Sequence, residues 1–325
     1  MNNKNNKNSC FPTDKDSLSI IIPLYNEEES LVQLSVNIIK EVEPIFEYWE
    51  VIFIDDGSTD NSFEVIREII KKDNRFKCIR LRRNFGKSAA LNTGFNNCKG
   101  KFVATMDADL QDDPKEFKQM YEILNMGYDL VSGWKKKRYD PISKTIPSKF
   151  FNYITSKTSG IHLHDFNCGI KMYRDVVVES LDVYGEMHRY LPTLAYWNGF
   201  KVTECVVEHH KRQFGKSKFG LSRFIRGFLD LLTVIFTTRY MKRPMHFFGV
   251  LGTIFTLIGL TIFGVLSIEW LLGEVALSGR PLAWASLGLV IIGIQLFSIG
   301  IIGEMIVKQN TTKSKQTYLI KEEIL

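Results

Sequence analysis

The chain has 325 residues, of which 45% are hydrophobic and 24% are charged. This composition is that of an ordinary globular protein, and it excludes collagen, coiled coils and wholesale disorder. At about 150 residues per domain, the length suggests two domains. The formal net charge of +6 is uneven, because residues 201–243 hold ten Lys/Arg against three acidic residues and the rest of the chain sums to −1.

Two long uncharged runs near the C-terminus predict membrane spans. Phe247–Ile268 and Leu282–Gly303 each extend for 22 residues without a charge. At about 1.5 Å per residue, each run would cross a hydrocarbon core of roughly 30 Å as a helix. Lys and Arg residues precede the first run and follow the second, so we expect both chain ends in the cytoplasm and the connector Glu269–Pro281 outside. The runs argue against a purely soluble protein.

The N-terminus and the cysteines also favour a cytoplasmic position for the bulk of the chain. Residues 1–16 are polar and lack the apolar core of a signal peptide, so we expect a disordered tail. The five cysteines are scattered and odd in number, with no Cys-x-x-Cys pair. This pattern favours reduced thiols over a disulfide framework or a zinc site.

Short apolar runs and helix-like segments alternate over the first part of the chain. The predicted strands are Leu18–Leu24, Trp49–Ile54, Phe76–Leu81 and Lys101–Met106. The segments that follow them and predict helices are Glu27–Val42, Asn61–Lys72, Lys87–Asn97 and Pro114–Met126. This alternation predicts an α/β fold with a mostly parallel sheet, whose ligands bind at the carboxyl ends of the strands. Asp112 and Asp113 are expected to cap the fourth helix.

Acidic residues follow the fourth predicted strand, at the edge where a ligand would bind. Asp107 and Asp109 are two residues apart after the buried run FVATM, so their carboxylates can share one divalent cation. Mg²⁺ or Mn²⁺ suits such a pair, because phosphate oxygens of a substrate fill its other positions. An Asp-x-Asp pair is also common as a turn or cap, but Gln111 and two further aspartates behind this one favour the cation site.

A second acidic pair, Asp55 and Asp56, follows the second predicted strand. One of its carboxylates could accept a hydrogen bond from a nucleotide base or ribose, or the pair could belong to a turn with Asp60 capping the next helix. Gly86 and Lys87 begin a predicted helix whose N-terminus can approach a diphosphate. The sequence around them is not a phosphate-binding loop of the nucleotide triphosphatase type, because its first glycine would fall at Leu81.

The basic segment before the first span is expected to face the membrane. Its arginines and lysines run directly into the span, and such segments attract anionic lipid. Arg212, with a forked guanidinium, is suited to a lipid phosphate. The segment is not accompanied by a separate domain that could recognise a nucleic-acid sequence, so we expect no nucleic-acid partner. The adjacent His209 and His210 would point in opposite directions on an extended segment, which disfavours a shared metal ion.

Taken together, these motifs resemble the family 2 glycosyltransferases. Within that family the chain is similar to the polyprenyl-phosphate glycosyltransferases, which include the dolichol-phosphate mannose synthase group and its bacterial relatives with two spans. The residues that carry the resemblance are Pro23-x-Tyr25-Asn26-Glu27, Asp55-Asp56-Gly57-Ser58, Arg83-Asn84-Phe85-Gly86-Lys87, Asp107-Ala108-Asp109-Leu110-Gln111-Asp112, Asp165-Phe166-x-Cys168-Gly169-x-Lys171-x-Tyr173-Arg174 and Arg212-x-x-Gly215-Lys216-Ser217-Lys218.

The resemblance implies a GT-A fold and an inverting transfer of sugar from a nucleotide diphosphate sugar to a polyprenyl phosphate at the cytoplasmic membrane face. It implies that Pro23, Tyr25 and Glu27 hold the nucleoside with Asp55, and that Asp107, Asp109 and Gln111 hold Mg²⁺ or Mn²⁺ and the donor diphosphate. Asp109 and Asp165 are the predicted catalytic residues, Asp165 as a positioning residue or a base. The candidates for the acceptor phosphate are Arg138, Ser148, Lys149, Arg212 and Lys218.

These expectations divide the chain into five parts and leave alternatives open. The parts are a tail (1–16), a GT-A domain (17–218), a juxtamembrane amphipathic helix (219–243), two spans (within 244–307) and a cytoplasmic tail (308–325). The expected donor is a UDP-sugar similar to UDP-glucose, with GDP-mannose as the alternative. A processive polysaccharide synthase is a second reading, although the chain has no Gln-x-x-Arg-Trp motif. An inactive transferase-like membrane scaffold is a third, and a homo-oligomer stays open.

Overall fold

The computed structural model describes residues 15–136, 152, 155–157, 159–181, 183, 185, 187–210, 244–273 and 280–311. The chain divides into two compact units, Met1–Leu231 and Leu232–Leu325. The first contains the α/β part and the second contains two long helices. The predicted N-terminal tail, the juxtamembrane helix and the C-terminal tail lie wholly or largely outside the described residues.

A single mixed sheet organises the described part of the first unit. Its strands are β1 (Ser17–Leu24), β2 (Tyr48–Asp55), β3 (Phe76–Arg80), β4 (Phe102–Thr105), β5 (Leu130–Trp134), β6 (Lys171–Arg174) and β7 (Val202–Val206). They are arranged in the order β3-β2-β1-β4-β6-β5-β7. Neighbouring strands are parallel except at β6, which runs antiparallel to both β4 and β5. The predicted α/β fold with a mostly parallel sheet is therefore confirmed.

Helices follow most of these strands, as the alternation predicts. They are α1 (Leu31–Val42), α2 (Ser62–Lys72), α3 (Lys87–Asn97), α4 (Glu116–Asn125), α5 (Asp175–Ser180) and α6 (Leu191–Trp197), with a short 3₁₀ turn at Met187–Arg189. The predicted bounds of α3 coincide with the structure. The helix α1 begins four residues later than predicted, because residues 25–30 form the turns that leave β1.

The core lies on both faces of the sheet, which explains the uninterrupted apolar runs of its central strands. Ile20, Ile21 and Ile22 of β1 are all fully buried, so successive side chains of this strand meet apolar surroundings on both sides. The helix α3 lies directly on one of these faces, because Gly94 brings its backbone against the side chain of Ile21. Any larger residue at Gly94 would push α3 away from the sheet and move the residues at its N-terminus.

The described part of the second unit consists of two helices, α7 (Pro244–Leu271) and α8 (Pro281–Thr311). Both helices are long and apolar enough to cross a membrane. They pack closely at glycines: a Cβ added at Gly252 would lie 2.6 Å from the carbonyl oxygen of Gly293, and one at Gly259 would lie 2.7 Å from that of Ser286. Small residues at such crossings let helix backbones approach within a membrane, where van der Waals packing drives association.

This crossing predicts that Gly252→Leu destabilises the helix pair. The larger side chain has no space against α8, so we expect the free energy of unfolding to fall by about 1–3 kcal/mol. The measurement is denaturant unfolding of the purified protein in detergent micelles. Gly264→Leu on the same helix is the matched control, since its added side chain begins in space free of other described atoms within 4 Å. Equal losses in the two variants would contradict the close crossing.

Candidate active site

The loops that follow β1, β2 and β4 meet at one edge of the sheet, because these three strands are adjacent and parallel. Asn26 joins the first two loops. Its backbone takes a left-handed conformation with φ 57°, and its side-chain oxygen accepts the backbone N–H of Thr59 at 2.8 Å. The hydroxyl of Ser58 accepts the backbone N–H of Asn26 at 3.0 Å. Pro23, Tyr25 and Glu27 are thereby held, partly exposed, beside the end of β2.

The two aspartates after β2 are turned inward. The Asp55 carboxylate is fully buried, accepts the backbone N–H of Ser58 at 2.8 Å and lies 3.1 Å from the Arg80 guanidinium. The Asp56 carboxylate accepts the backbone N–H groups of Phe85 and Gly86, at 2.7 and 2.8 Å. Burial raises the pKa of Asp56, and these two hydrogen bonds oppose that rise. Asp56 therefore holds the loop from which α3 begins.

Gly86 and Lys87 lie at the start of α3 and face the loop after β4. Gly86 has φ 93°, a conformation that glycine adopts without strain. The Lys87 ammonium forms an ion pair and a hydrogen bond with the Asp107 carboxylate. Burial raises the pKa of Asp107, but Lys87, with Lys135 and Lys171 at longer range, lowers it to about 2. Asp107 is thus ionised at neutral pH, and one third of its side chain is exposed.

The loop 107–112 carries the other predicted cation ligands. Asp109 and Gln111 are both partly exposed, and the Asp109 carboxylate accepts the backbone N–H of Gln111 at 3.3 Å. Leu110 between them is buried and has φ 59°, which turns the loop back on itself. The segment after β7 lies alongside, since the backbone N–H of His210 donates to the Gln111 carbonyl at 3.0 Å. Asp107, Asp109 and Gln111 therefore share one short loop at the sheet edge.

A small cavity of about 10 Å³, roughly the size of one water molecule, lies beside Asp107. Lys171 of β6 and His188 of the 3₁₀ turn contribute to its wall together with Lys87. Lys171 is buried and its ammonium donates to the Cys168 carbonyl. Burial lowers the pKa of Lys171. His188 lies 2.9 Å through Nδ1 from the hydroxyl of Ser88 on α3.

The prediction that Asp112 caps α4 is wrong. Its carboxylate is fully buried and forms an ion pair of 2.7 Å with the Lys135 ammonium, just beyond β5. Burial lowers the pKa of Lys135, but Asp112 more than offsets this and holds it well above its usual range. Asp113 accepts the backbone N–H of Lys115 at 3.1 Å, in a turn before α4. The tertiary partner of Asp112 is 23 residues away in the sequence, which explains why local reasoning missed it.

Asp165 lies on the loop before β6, near the same edge. It is buried, its carboxylate accepts the backbone N–H of Asn167 at 3.2 Å, and its carbonyl lies 3.4 Å from the Ser132 hydroxyl. The preceding His164 stacks on Trp134, with ring centroids 3.9 Å apart, and pairs with Glu204. The loop that carries Asp165 is therefore attached to β5 and β7.

Asp113, Glu208 and His210 form a second group with metal-ligand chemistry among the described residues. Their ligand atoms lie within 4.8 Å of one another. The Lys115 ammonium lies 2.6 Å from Glu208 and 3.5 Å from Asp113, so a cation of the chain already neutralises part of this group. The group is separate from the pair Asp107 and Asp109.

The structure thus brings the predicted donor-site residues to one edge, whereas the predicted acceptor-site residues Arg138, Ser148, Lys149, Arg212 and Lys218 lie outside the described residues. Sequence reasoning gave no role to Asn26, Lys135, Lys171 or His188. Lys171 had a usable signal, because it is a lone charge in the apolar run Gly169-Ile170-Lys171-Met172-Tyr173. Buried lysines are rare unless paired or functional.

Residues 19–182 match the sequence model of the family described as glycosyl transferase family 2. The chain belongs to this family. It is 36% identical to dodecaprenyl-phosphate galacturonate synthase of Rhizobium johnstonii, over 91% of this chain and 89% of the relative. It is 32% identical to undecaprenyl-phosphate 4-deoxy-4-formamido-L-arabinose transferase of Aeromonas hydrophila, over 95% of this chain and 94% of the relative.

Solved structures also superpose on part of the chain. Glucosyl-3-phosphoglycerate synthase from Mycobacterium tuberculosis, in complex with Mn²⁺, UDP and phosphoglyceric acid, matches with a TM-score of 0.52 and 15% identity. The match covers 69% of this chain and 78% of that chain. The same enzyme with Mn²⁺ and UDP-glucose matches with a TM-score of 0.50. This likeness shows the GT-A-type α/β fold that the resemblance implied.

The contacts of Asp56 predict that Asp56→Asn destabilises the α/β unit. An asparagine offers one acceptor oxygen where two backbone N–H groups donate, so one partly buried donor loses its partner and we expect a loss of about 1–3 kcal/mol. Chemical denaturation measures this. Glu64→Gln, on the exposed surface of α2, is the control and should change the free energy of unfolding by no more than about 0.5 kcal/mol. A similarly small change for Asp56→Asn would show that this carboxylate does not hold the loop.

Proposed function

We propose that the chain transfers a sugar from a nucleotide diphosphate sugar to a polyprenyl phosphate at the cytoplasmic membrane face, with inversion at the anomeric carbon. The observation that carries this proposal is the similarity to two relatives named for polyprenyl-phosphate substrates, which extends over 91% and 95% of this chain. That extent includes the two helices long enough to cross a membrane. The similarity therefore extends beyond the α/β unit to the part of the chain that holds these helices, which supports a membrane-bound transferase.

The residues at the edge of the sheet fit a divalent cation. Asp107 and Asp109 are ionisable, partly exposed and two residues apart on one loop, and Gln111 adds a neutral oxygen. Carboxylate and amide oxygens are the ligands that Mg²⁺ and Mn²⁺ prefer. We propose that Asp107, Asp109 and Gln111 hold Mg²⁺ or Mn²⁺, which would stabilise the negative charge of the leaving diphosphate.

The acceptor supplies its own nucleophile. A phosphate monoester has a second pKa of about 6, so it carries close to two negative charges at neutral pH. A strong general base is therefore not required, and the task of the protein is to align the phosphate with the anomeric carbon and to offset the charges of two anionic substrates. We assign Asp165 accordingly as a positioning residue beside the reacting groups, with Lys87 at the N-terminus of α3 as a cation for the donor diphosphate.

The nucleoside is assigned to the neighbouring loops. Pro23, Tyr25 and Glu27 lie at the end of β1, next to the Asp55 and Asp56 turn. Asn26 and Ser58 hold these two loops together, which prepares a fixed surface for a base and ribose. We propose a UDP-sugar as the donor, with GDP-mannose as the alternative. The two relatives are named for different sugars, so the sugar is to be identified by a screen of nucleotide sugars as donors.

Arg138, Ser148, Lys149, Arg212 and Lys218 are proposed to hold the acceptor phosphate. Arg212 and Lys218 lie in the basic segment 201–243, which continues into the first predicted span, where a lipid phosphate would be met. Arg138 ends a separate basic run, Lys135-Lys136-Lys137-Arg138. The excess of Lys and Arg at both ends of the span pair supports a cytoplasmic position for the α/β unit and both termini. A processive polysaccharide synthase and an inactive scaffold are the competing functions.

Asp109→Ala is predicted to abolish sugar transfer. Loss of one of two carboxylates weakens the hold on the cation, so we expect a fall in kcat of at least about 100-fold, within the range for loss of a major electrostatic group. The measurement is transfer from a radiolabelled nucleotide sugar to a short polyprenyl phosphate in detergent with Mg²⁺ or Mn²⁺. Glu64→Ala, on the exposed surface of α2 and outside the proposed site, should keep wild-type activity. Wild-type activity in Asp109→Ala would refute the proposed cation site.

Arg212→Ala is predicted to raise the KM for the polyprenyl phosphate by about tenfold or more, because a charge-assisted hydrogen bond to phosphate contributes about 1.5–3 kcal/mol. The KM for the nucleotide sugar should stay unchanged. Arg67→Ala is the control, since Arg67 lies exposed on α2 and pairs only locally with Glu64. An equal rise in both KM values, or no rise for the lipid, would remove Arg212 from the acceptor site.

A further inference from the structure

We infer that Asp112 is a positioning residue for the cation-binding loop 107–112, acting through its buried ion pair with Lys135. This inference rests on the proposed function, since it names what holds the proposed ligands Asp109 and Gln111 in place. Asp112 is the last residue of the loop and none of its side-chain surface is exposed, so it acts through its neighbours and not by contact with a substrate.

The loop is fastened by a lysine at each end. Lys87 of α3 pairs with Asp107 at the first position, and Lys135 beyond β5 pairs with Asp112 at the last, at 2.7 Å. The two lysines come from different elements of the unit. Asp109 and Gln111 lie between these two fixed points. A shift at either end would therefore change the direction of both proposed ligands.

The ion pair between Asp112 and Lys135 crosses the chain just before β6, near Gly169. In the sheet, β6 separates β4 from β5, so an attachment from the β4 loop to the end of β5 must cross it. Gly169 makes this crossing feasible. A Cβ at this position would lie 2.6 Å from Oδ2 of Asp107 and 2.8 Å from Oδ2 of Asp112. The backbone of residue 169 is thus packed against both ends of the loop at once.

A third attachment comes from the segment after β7. Asp112 and His209 form an isolated antiparallel bridge, and the next residue, His210, donates its backbone N–H to the Gln111 carbonyl. Asp112 consequently joins the ends of β4, β5 and β7. The carboxylate of Asp112 pairs with Lys135, and the removal of either member of this pair would leave an unpaired buried charge.

The test compares Asp112→Asn with the double variant Asp112→Asn/Lys135→Met by amide hydrogen exchange and by Mn²⁺ binding. Loss of the pair should speed exchange in residues 107–111 by about tenfold or more, with little change in the helix α4, because the loop opens locally. The affinity for MnCl₂ alone, followed by electron paramagnetic resonance, should fall by about tenfold. The double variant buries no unpaired charge and should melt close to the wild type. Glu64→Gln, on the exposed surface of α2, should leave both readouts unchanged.

Three outcomes would overturn the inference. The first is wild-type exchange and wild-type Mn²⁺ affinity in the double variant. The second is a uniform rise of exchange across the α/β unit, and the third is loss of folding in both variants. Either of the last two would mean that the pair stabilises the unit as a whole. The two proposals are separable. If the wild type transfers no sugar, the exchange in loop 107–111 still decides the role of Asp112. If the wild type transfers sugar and exchange is unchanged, only this inference fails.

Discussion

The candidate site depends on two ion pairs between lysine and aspartate at one edge of the sheet. Lys87 pairs with Asp107 where about one third of each side chain is exposed, and Lys135 pairs with Asp112 where water is largely excluded. Charges in such surroundings are tolerated only when they are paired with good geometry. The loop between the two aspartates is consequently attached at both ends, which is the preorganisation that stabilising a leaving diphosphate would require.

The antiparallel strand β6 is what makes this edge so rich in charge. A fully parallel sheet would place the start of β6 at the opposite edge. Because β6 is reversed, Lys171 at its start pairs in register with Thr105 of β4 and Ser132 of β5, near the ends of both strands. The loop 165–169, which precedes β6, therefore lies at the same edge as the ends of β4 and β5. One strand reversal thus adds Asp165 and Gly169 to a site otherwise built from parallel strands.

Much of the fold could be predicted from the sequence, whereas the partners within the site could not. The apolar runs of β1 and β2 are buried on both faces, so their bounds were predicted within one residue. The α/β class and the family followed from the order of the motifs. The direction of β6 has no local signal, because a four-residue strand can pair either way. The inward positions of Asp56 and Asp112 depend on residues distant in sequence, which no helix-capping or turn rule contains.

The chain joins a family 2 glycosyltransferase unit to two helices long enough to cross a membrane, and we propose that its acceptor is a polyprenyl phosphate. The most direct measurement is mass spectrometry of the products that the purified protein forms from a panel of UDP-sugars and GDP-mannose with a short polyprenyl phosphate and Mg²⁺ or Mn²⁺. We expect one sugar residue added to the lipid phosphate and release of the nucleoside diphosphate. A sugar polymer formed without the lipid, or no product from any donor, would contradict it.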